Sequence, residues 1–181
     1  MLLNIGIFYV FLSINSFTIA RIFGNDGIAH AIAQIRSEDN NVNGIVTFEQ
    51  EYLAYSPCII RANITGVPGE HGFAILEWGN MVGGCDTMGN TFNPDRIPHS
   101  PFQKRHHRVG TLGNIIDGQV YEDRNNRHVS LFGRNSVLGR GIAIFENPDD
   151  GAQNRTIESH FNGNVGVAIA CGIIARMDEQ F

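Results

Sequence analysis

Short runs of apolar or alternating residues, separated by glycine-rich turns, recur along the chain and predict β-strands rather than long helices. The predicted strands lie at 28–35, 43–48, 58–65, 72–78, 112–116, 120–123, 141–146 and 167–174, of which the first also fits a weak helix. Two segments rich in Gly and Asn, 80–110 and 147–166, are predicted to be long loops. About eight short strands with such turns predict an all-β sandwich or barrel, and loops of this length in a compact domain are usually functional.

The first twenty residues follow a different pattern, because no charged side chain occurs in 1–20. An apolar run over 2–12 is followed by small and polar residues, and Thr18 and Ala20 have the spacing of a cleavage site. This pattern predicts a secretory signal peptide over 1–20, which leaves one domain over 21–181. The alternatives are an uncleaved membrane anchor, for which the run is short, and a buried first strand.

Composition and charge narrow the class of protein. The chain has 181 residues, enough for one domain with a core, and its 43% of hydrophobic residues argue against disorder. The net charge of −5 includes no long run of one sign, so no nucleic-acid partner is expected. No later segment is apolar enough to predict a membrane span. Two Asn-x-Thr sequons, at Asn63 and Asn154, predict glycosylation of a secreted, extracellular protein.

The chain has three cysteines, Cys58, Cys85 and Cys171. In a secreted protein one pair is expected to be oxidised. The residues alone permit three pairings and do not choose between them.

A series of short motifs resembles the copper/zinc superoxide dismutases in order and spacing over residues 28–175. The motifs are Gly69–Phe73, Glu77–Gly79, Gly84–Cys85, Phe92–Pro94, Val109–Gly110, Leu112–Asn114, Leu138–Arg140, Asp149–Asp150, Gly163–Asn164 and Ala170–Ile173. The resemblance implies an eight-stranded Greek-key barrel or sandwich with two long loops. It also implies a disulfide between Cys85 and Cys171, which would leave Cys58 free and buried.

The copper ligands that the resemblance implies are absent from this sequence. The two histidines that the family places after His-Gly-Phe correspond to Ala74 and Leu76, the bridging histidine corresponds to Thr91, and the last copper histidine corresponds to Phe145. Copper in a redox site requires several imidazole nitrogens in a fixed array. The hydroxyl of Thr91 is a poor ligand, and the other three side chains are none.

The zinc side has lost most of its implied ligands as well. His99 stands at one zinc histidine position, but Arg108 replaces the next histidine and Thr111 replaces the zinc aspartate. Asp149 matches the family's carboxylate beside the metals, while the arginine that guides the substrate corresponds to Ala168. We therefore expect no catalytic residue and no metal cofactor, and Leu76 and Phe145 are expected to fill the vacated volume so that the barrel folds without metal. The alternative is residual binding of copper and zinc.

The remaining histidines permit two interpretations. His99, His106 and His107 share the first long loop and His128 follows later, so they form either a new zinc site or part of a solvated polar loop; the sequence favours the loop. The basic run Lys104–Arg108 is likewise interpreted as a solvated face, with an acidic partner or glycosaminoglycan as the alternative.

Three functions remain open. The chain is a catalytically inactive secreted protein that acts by binding, an active superoxide dismutase, or a subunit that pairs with an active relative. The dimer contacts that the resemblance implies correspond to Trp78, Gly79, Leu138, Gly139 and the last strand. A self-complementary face of this kind would permit homodimers and mixed dimers.

Overall fold

Nine antiparallel strands form the molecule in a computed structural model that describes residues 27–116 and 120–177. The strands are β1 (Ile28–Arg36), β2 (Asn43–Glu51), β3 (Cys58–Thr65), β4 (Glu70–Ile75), β5 (Thr111–Ile116), β6 (Tyr121–Asn126), β7 (Gly141–Phe145), β8 (Ala168–Ile173) and β9 (Ala175–Met177). The predicted all-β class is confirmed, and the first segment is a strand. The predicted signal peptide over 1–20 lies outside the described residues.

The strands close almost completely into a barrel. Their order is β5-β4-β7-β8-β1-β2-β3-β6, with the short β9 added beside β1. The chain therefore passes from β3 to β4, and from β6 to β7, between strands that are not neighbours. Such connections are those of the expected Greek key. Within the described residues β5 and β6 do not pair, but Tyr121 donates a hydrogen bond across this seam from its hydroxyl to the carbonyl of Leu112, at 3.0 Å.

Alternation of side chains builds the main core. In β1 the residues at every second position, Ala29, Ala31, Ala33 and Ile35, are buried, and Val46 and Phe48 of β2 meet them from the neighbouring strand. Because successive side chains point to opposite faces of a strand, this pattern leaves one face of each strand for the barrel interior. Burial of each large apolar side chain contributes about 1.5–3 kcal/mol to folding.

The first long loop folds back onto the end of β4. The predicted strand over 72–78 ends at Ile75, whose backbone amide donates to Gly110 at 2.8 Å and whose carbonyl accepts from Phe92 at 2.9 Å. Gly110 in turn donates to the carbonyl of Phe92, at 2.9 Å. Two points of the first loop, Phe92 and Gly110, thus meet each other and the last residue of the strand.

The second long loop contains a short helix, α1 (Ile157–Asn162), that the sequence interpretation described only as loop. Thr156 caps its start by accepting a hydrogen bond from the amide of Ser159, at 3.1 Å. Gly163 ends the helix in the left-handed conformation, with a φ of 78°. These are the residue types preferred at the two ends of a helix. No helix among the described residues has the length and apolar character needed to span a membrane.

The disulfide implied by the resemblance is present in the structure. It joins Cys85, in a 3₁₀ helix (Gly84–Met88) of the first loop, to Cys171 in β8, across 86 positions of sequence. In the chain-entropy account, closing a loop of this length stabilises the fold by about 4–5 kcal/mol. Cys58 is free and buried, and burial raises the pKa of its thiol to about 12.

Candidate functional site

Three of the four implied copper positions lie in a small apolar cluster beside the main core. Ala74 and Leu76 are buried in this second cluster, and Phe145 packs against it. Ala168, at the implied guiding-arginine position, packs against the same cluster. Thr91 lies beside it, because Thr91 and Leu76 form an isolated β-bridge. The structure therefore brings together the positions that the sequence interpretation grouped.

Strand register explains why these residues meet. Ala74 of β4 is paired with Ala143 of β7, and Phe145 at the end of β7 is paired with Ala168 of β8. Residues that stand opposite each other on antiparallel strands point to the same face of the sheet. The same face receives Met88 from the first loop and the disulfide between Cys85 and Cys171, so the cluster is also cross-linked.

The cluster does not fit a copper ion. Of the four implied ligand positions only Thr91 carries a donor atom, and copper sites prefer imidazole or thiolate ligands. The two cysteines of the cluster are joined in the disulfide and offer no thiolate. Leu76 is 2% exposed, so its side chain occupies the interior at this point. Close-packed apolar side chains gain dispersion contacts that a metal site without its ion would lack.

A cavity of about 220 Å³ opens beside the cluster. Leu76, Thr91, Phe145 and Ala168 contribute to its walls, together with residues of both long loops. Among the described residues, Asp86 is the only charged side chain in the lining. The cavity therefore has no positive charge of its own, and its carboxylate disfavours an anion.

On the zinc side, a buried hydrogen bond joins the two long loops. The Nε2 atom of His99 in the first loop lies 2.8 Å from Oδ1 of Asp149 in the second, and both side chains are almost completely buried. The same Oδ1 accepts from the amide of Gly151, at 2.8 Å. Asn114 of β5 accepts from the amide of Asp149 at 2.7 Å and donates to its carbonyl at 3.2 Å. Asp149 is thus fixed to the barrel and to both loops.

The remaining zinc positions do not complete a site. The Nδ1 atom of His99 and the hydroxyl of Thr111 are buried and have no hydrogen-bond partner in the described part of the chain. Arg108 donates from Nε to the carbonyl of Ile97 at 3.3 Å. Burial lowers the pKa of its guanidinium, and the negative charge of Asp149 opposes this shift. One imidazole nitrogen, one hydroxyl and one guanidinium do not form the set of four N, S or O ligands that zinc requires.

The histidine-rich loop differs from the predicted solvated loop. His99 and His107 are buried, and only His106 of the three is exposed. The rings of His107 and His128 pack with their centroids 4.1 Å apart, while His99 bonds to Asp149 instead. Burial lowers the pKa of His107, and the neighbouring His128 lowers it further. Within residues 27–116 and 120–177, no three or more His, Cys, Asp or Glu side chains are grouped to hold a metal.

The basic run is only partly solvated. Lys104, Arg105 and His106 are exposed, whereas His107 is buried and Arg108 is half-buried. The interpretation of the whole run as a solvated face is therefore wrong for its last two residues, because their side chains turn toward the loop interior.

The positions with implied dimer contacts form a partly apolar surface. Trp78 is 60% exposed and Ile173 of β8 is 38% exposed. Gly79 lies between them: a Cβ atom added there would stand 2.3 Å from the carbonyl oxygen of Gly139 and 3.1 Å from the side chain of Ile173. Leu138 is half-buried and packs against the main core instead. We call Trp78, Gly79, Gly139 and Ile173 the Trp78 face.

Three side chains with structural roles at the site were not assigned by sequence reasoning. Met88 is fully buried in the apolar cluster, and Asn114 holds Asp149. Arg140 stacks over the ring of Phe92, 3.5 Å from its centroid, and donates from Nη1 to the carbonyl of Glu77 at 2.6 Å. Asn114 and Arg140 belong to motifs that resemble the family, so the sequence indicated that these two residues matter. It could not indicate their roles, because the contacts they make depend on the fold.

Truncation of Leu76 tests the packing of the second cluster. Because Leu76 is buried, Leu76→Ala is expected to lower the free energy of unfolding by about 2–5 kcal/mol. The matched control is Leu53→Ala, since Leu53 is 67% exposed and a surface change of this kind costs less than about 0.5 kcal/mol. Urea denaturation followed by circular dichroism measures both. Equal effects of the two substitutions would contradict the packing role.

Comparison with known proteins places these features in a family. The family model described as copper/zinc superoxide dismutase (SODC) matches residues 42–174. An extracellular Cu-Zn superoxide dismutase of Brugia pahangi is 36% identical over 154 residues, which cover 81% of this chain and 76% of that protein. Superoxide dismutase [Cu-Zn] 5 of Dictyostelium discoideum is 36% identical over 149 residues, covering 80% and 96%.

Two further similarities agree with these. An extracellular Cu-Zn superoxide dismutase of Drosophila melanogaster is 33% identical over 151 residues, which cover 81% of this chain and 83% of that protein. A crystal structure of the clock protein EA4 matches with a TM-score of 0.73 and 30% identity, covering 83% of this chain and 96% of that chain.

Proposed function

This chain belongs to the copper/zinc superoxide dismutase family, and on that premise we propose that it is a secreted, catalytically inactive member that acts by binding a partner. The observation that carries the proposal is the apolar cluster at the copper positions. Superoxide dismutation by this family requires copper to alternate between two oxidation states. Ala74, Leu76 and Phe145 supply no ligand that would hold copper in either state.

The charge of the neighbouring cavity supports the same proposal. Attraction of an anionic substrate depends on a positive potential at the site. Asp86 is the only charged residue that the described part of the chain contributes to the cavity wall, and Ala168 lines the cavity without a charge. Superoxide is an anion, so this cavity would disfavour its approach.

The contacts of the two long loops support the proposal that the protein folds without metal. The His99–Asp149 hydrogen bond and the Cys85–Cys171 disulfide hold the loops to each other and to the barrel without an ion. Arg108 supplies a positive charge in the same loop as His99 and within electrostatic reach of Asp149. These contacts support a folded, metal-free protein.

Secretion is supported by several independent features. Two relatives that match most of the chain are named extracellular superoxide dismutases. The apolar, uncharged segment over 1–20 fits a signal peptide, and a disulfide fits an oxidising compartment. Both sequon residues, Asn63 on β3 and Asn154 in the second loop, are exposed and accessible to glycosylation.

Metal content and dismutase activity of the secreted protein test the proposal. The chain is purified from secreting cells, dialysed against copper and zinc, freed of excess metal and measured beside an active relative treated identically. We expect copper and zinc far below one ion per chain and no superoxide consumption above buffer, because the copper positions lack ligands. One tightly bound copper per chain with rapid superoxide consumption would establish the alternative, an active superoxide dismutase.

The Trp78 face is the proposed binding surface, for a second copy of this chain or for an active relative. Its exposed Trp78 and Ile173 lie beside two glycines, Gly79 and Gly139, whose backbones approach closely. Tryptophan is enriched at the centres of protein interfaces. A face that pairs with itself around a two-fold axis can also pair with a closely similar face.

Sedimentation velocity tests this surface. The wild-type chain is expected to sediment as a dimer, and Ile173→Glu is expected to shift it to monomer because a charge would be buried in an apolar contact. Leu53→Glu is the matched control, since Leu53 is exposed in the turn after β2, and it should leave the dimer intact. Mixing with a fluorescently labelled active relative measures mixed dimers. A wild-type chain that remains monomeric alone and in the mixture would contradict the proposal.

A further inference from the structure

A second cavity, of about 250 Å³, shares no lining residue with the cavity beside Leu76. It lies between β1, β9, the residue that follows β2, and the segment that connects β6 to β7. We call it the Tyr52 cavity. Nothing in the proposed loss of metal binding concerns this part of the barrel.

The walls of the Tyr52 cavity are mainly apolar. Ala29 and Leu131 are buried, and Phe132 and Leu138 are half-buried. The rings of Tyr52 and Phe132 pack with their centroids 4.8 Å apart and their planes tilted by 33°. Apolar walls with a few polar groups at the rim are typical of small-molecule sites, and an aromatic pair offers a large contact area to the apolar body of a ligand.

The volume of the Tyr52 cavity limits the size of the apolar part of a ligand. An apolar cavity of roughly 150 Å³ holds one benzene molecule. The Tyr52 cavity is larger than this, so it accommodates one ring, or a short aliphatic chain, together with a small polar group. It is smaller than the pockets of roughly 300–1,000 Å³ that hold drug-sized ligands.

The positive charge of Arg176 at the Tyr52 cavity indicates which polar group a ligand would carry. Arg176 of β9 lines the cavity, and its guanidinium donates from Nη2 to the hydroxyl of Tyr52 at 3.5 Å. Among the described residues no carboxylate forms an ion pair with Arg176, and no Asp or Glu lines the cavity. His30 is a further lining residue. The planar guanidinium of arginine matches the geometry of a carboxylate, to which it can donate two hydrogen bonds.

We propose that the Tyr52 cavity binds a small organic carboxylate, with its ring or short chain packed against Tyr52, Phe132 and Leu131 and its carboxylate on Arg176. This site is separate from the former metal site and from the reaction of the family. It would give the secreted chain a ligand-binding activity that does not depend on copper or on zinc.

Two acids and their uncharged amides test the charge requirement. Phenylacetate and hexanoate are titrated into the isotopically labelled protein, beside phenylacetamide and hexanamide, and binding is followed by amide and methyl chemical shifts. Each acid is expected to bind about fivefold more tightly than its amide, as for a partly exposed ion pair. The shifted resonances should include those of Ala29, Leu131 and Phe132.

Two arginine variants separate the site from a general effect of charge. Arg176→Gln removes the guanidinium at the cavity and should make each acid and its amide bind equally. Arg155→Gln makes the same change at an exposed position of the second loop and should retain the preference for acids. Both positions are exposed, so both variants are expected to fold. Failure of both acids to bind, equal binding of acids and amides to the wild-type chain, shifts confined to other residues, or an unchanged preference in Arg176→Gln would each overturn the proposal.

Discussion

The hydrogen bond between His99 and Asp149 is the contact on which the arrangement of the two long loops depends. Both side chains are nearly excluded from solvent, so the bond operates where its loss would leave a buried polar group without a partner. Asn114 fixes Asp149 to β5, and Gly163 at the end of α1 packs directly against the carboxylate. A metal ion cross-links loops through its ligands. Here the His99–Asp149 hydrogen bond links the two loops, and the guanidinium of Arg108 supplies a positive charge that interacts with Asp149.

The apolar cluster performs the corresponding role on the copper side. A metal site that no longer binds its ion would leave buried polar groups without partners. This costs free energy of folding, because buried polar groups need hydrogen bonds. In this chain Leu76 and Phe145 make apolar contacts at the implied copper positions, and the neighbouring disulfide fixes the first loop beside them. Under the proposed loss of metal binding, apolar packing therefore takes the place of the ligands. At the implied zinc positions, Nδ1 of His99 and the hydroxyl of Thr111 are buried and have no hydrogen-bond partner among residues 27–116 and 120–177. Polar groups on this side are therefore less well satisfied than on the copper side.

Sequence reasoning predicted the strands and grouped the copper positions, because period-two alternation and ordered motifs are local signals. It did not predict α1, whose six residues are too few to show a helical period, although Thr156 and Gly163 mark its ends. It treated the histidine-rich loop as solvated, because the burial of His99 and His107 depends on contacts with residues far away in sequence. The Tyr52 cavity was also beyond prediction, since its walls come from four separate segments of the chain.

Our proposal implies that side-chain contacts hold this barrel together without metal ions. The most direct measurement is the urea unfolding midpoint of the purified chain before and after exhaustive chelation, and again after copper and zinc are added back. We expect the same unfolding midpoint under all three conditions, and the circular dichroism spectrum of the native protein in the absence of urea. A chelated protein that is unfolded, or that regains structure and stability only when copper or zinc is restored, would contradict it.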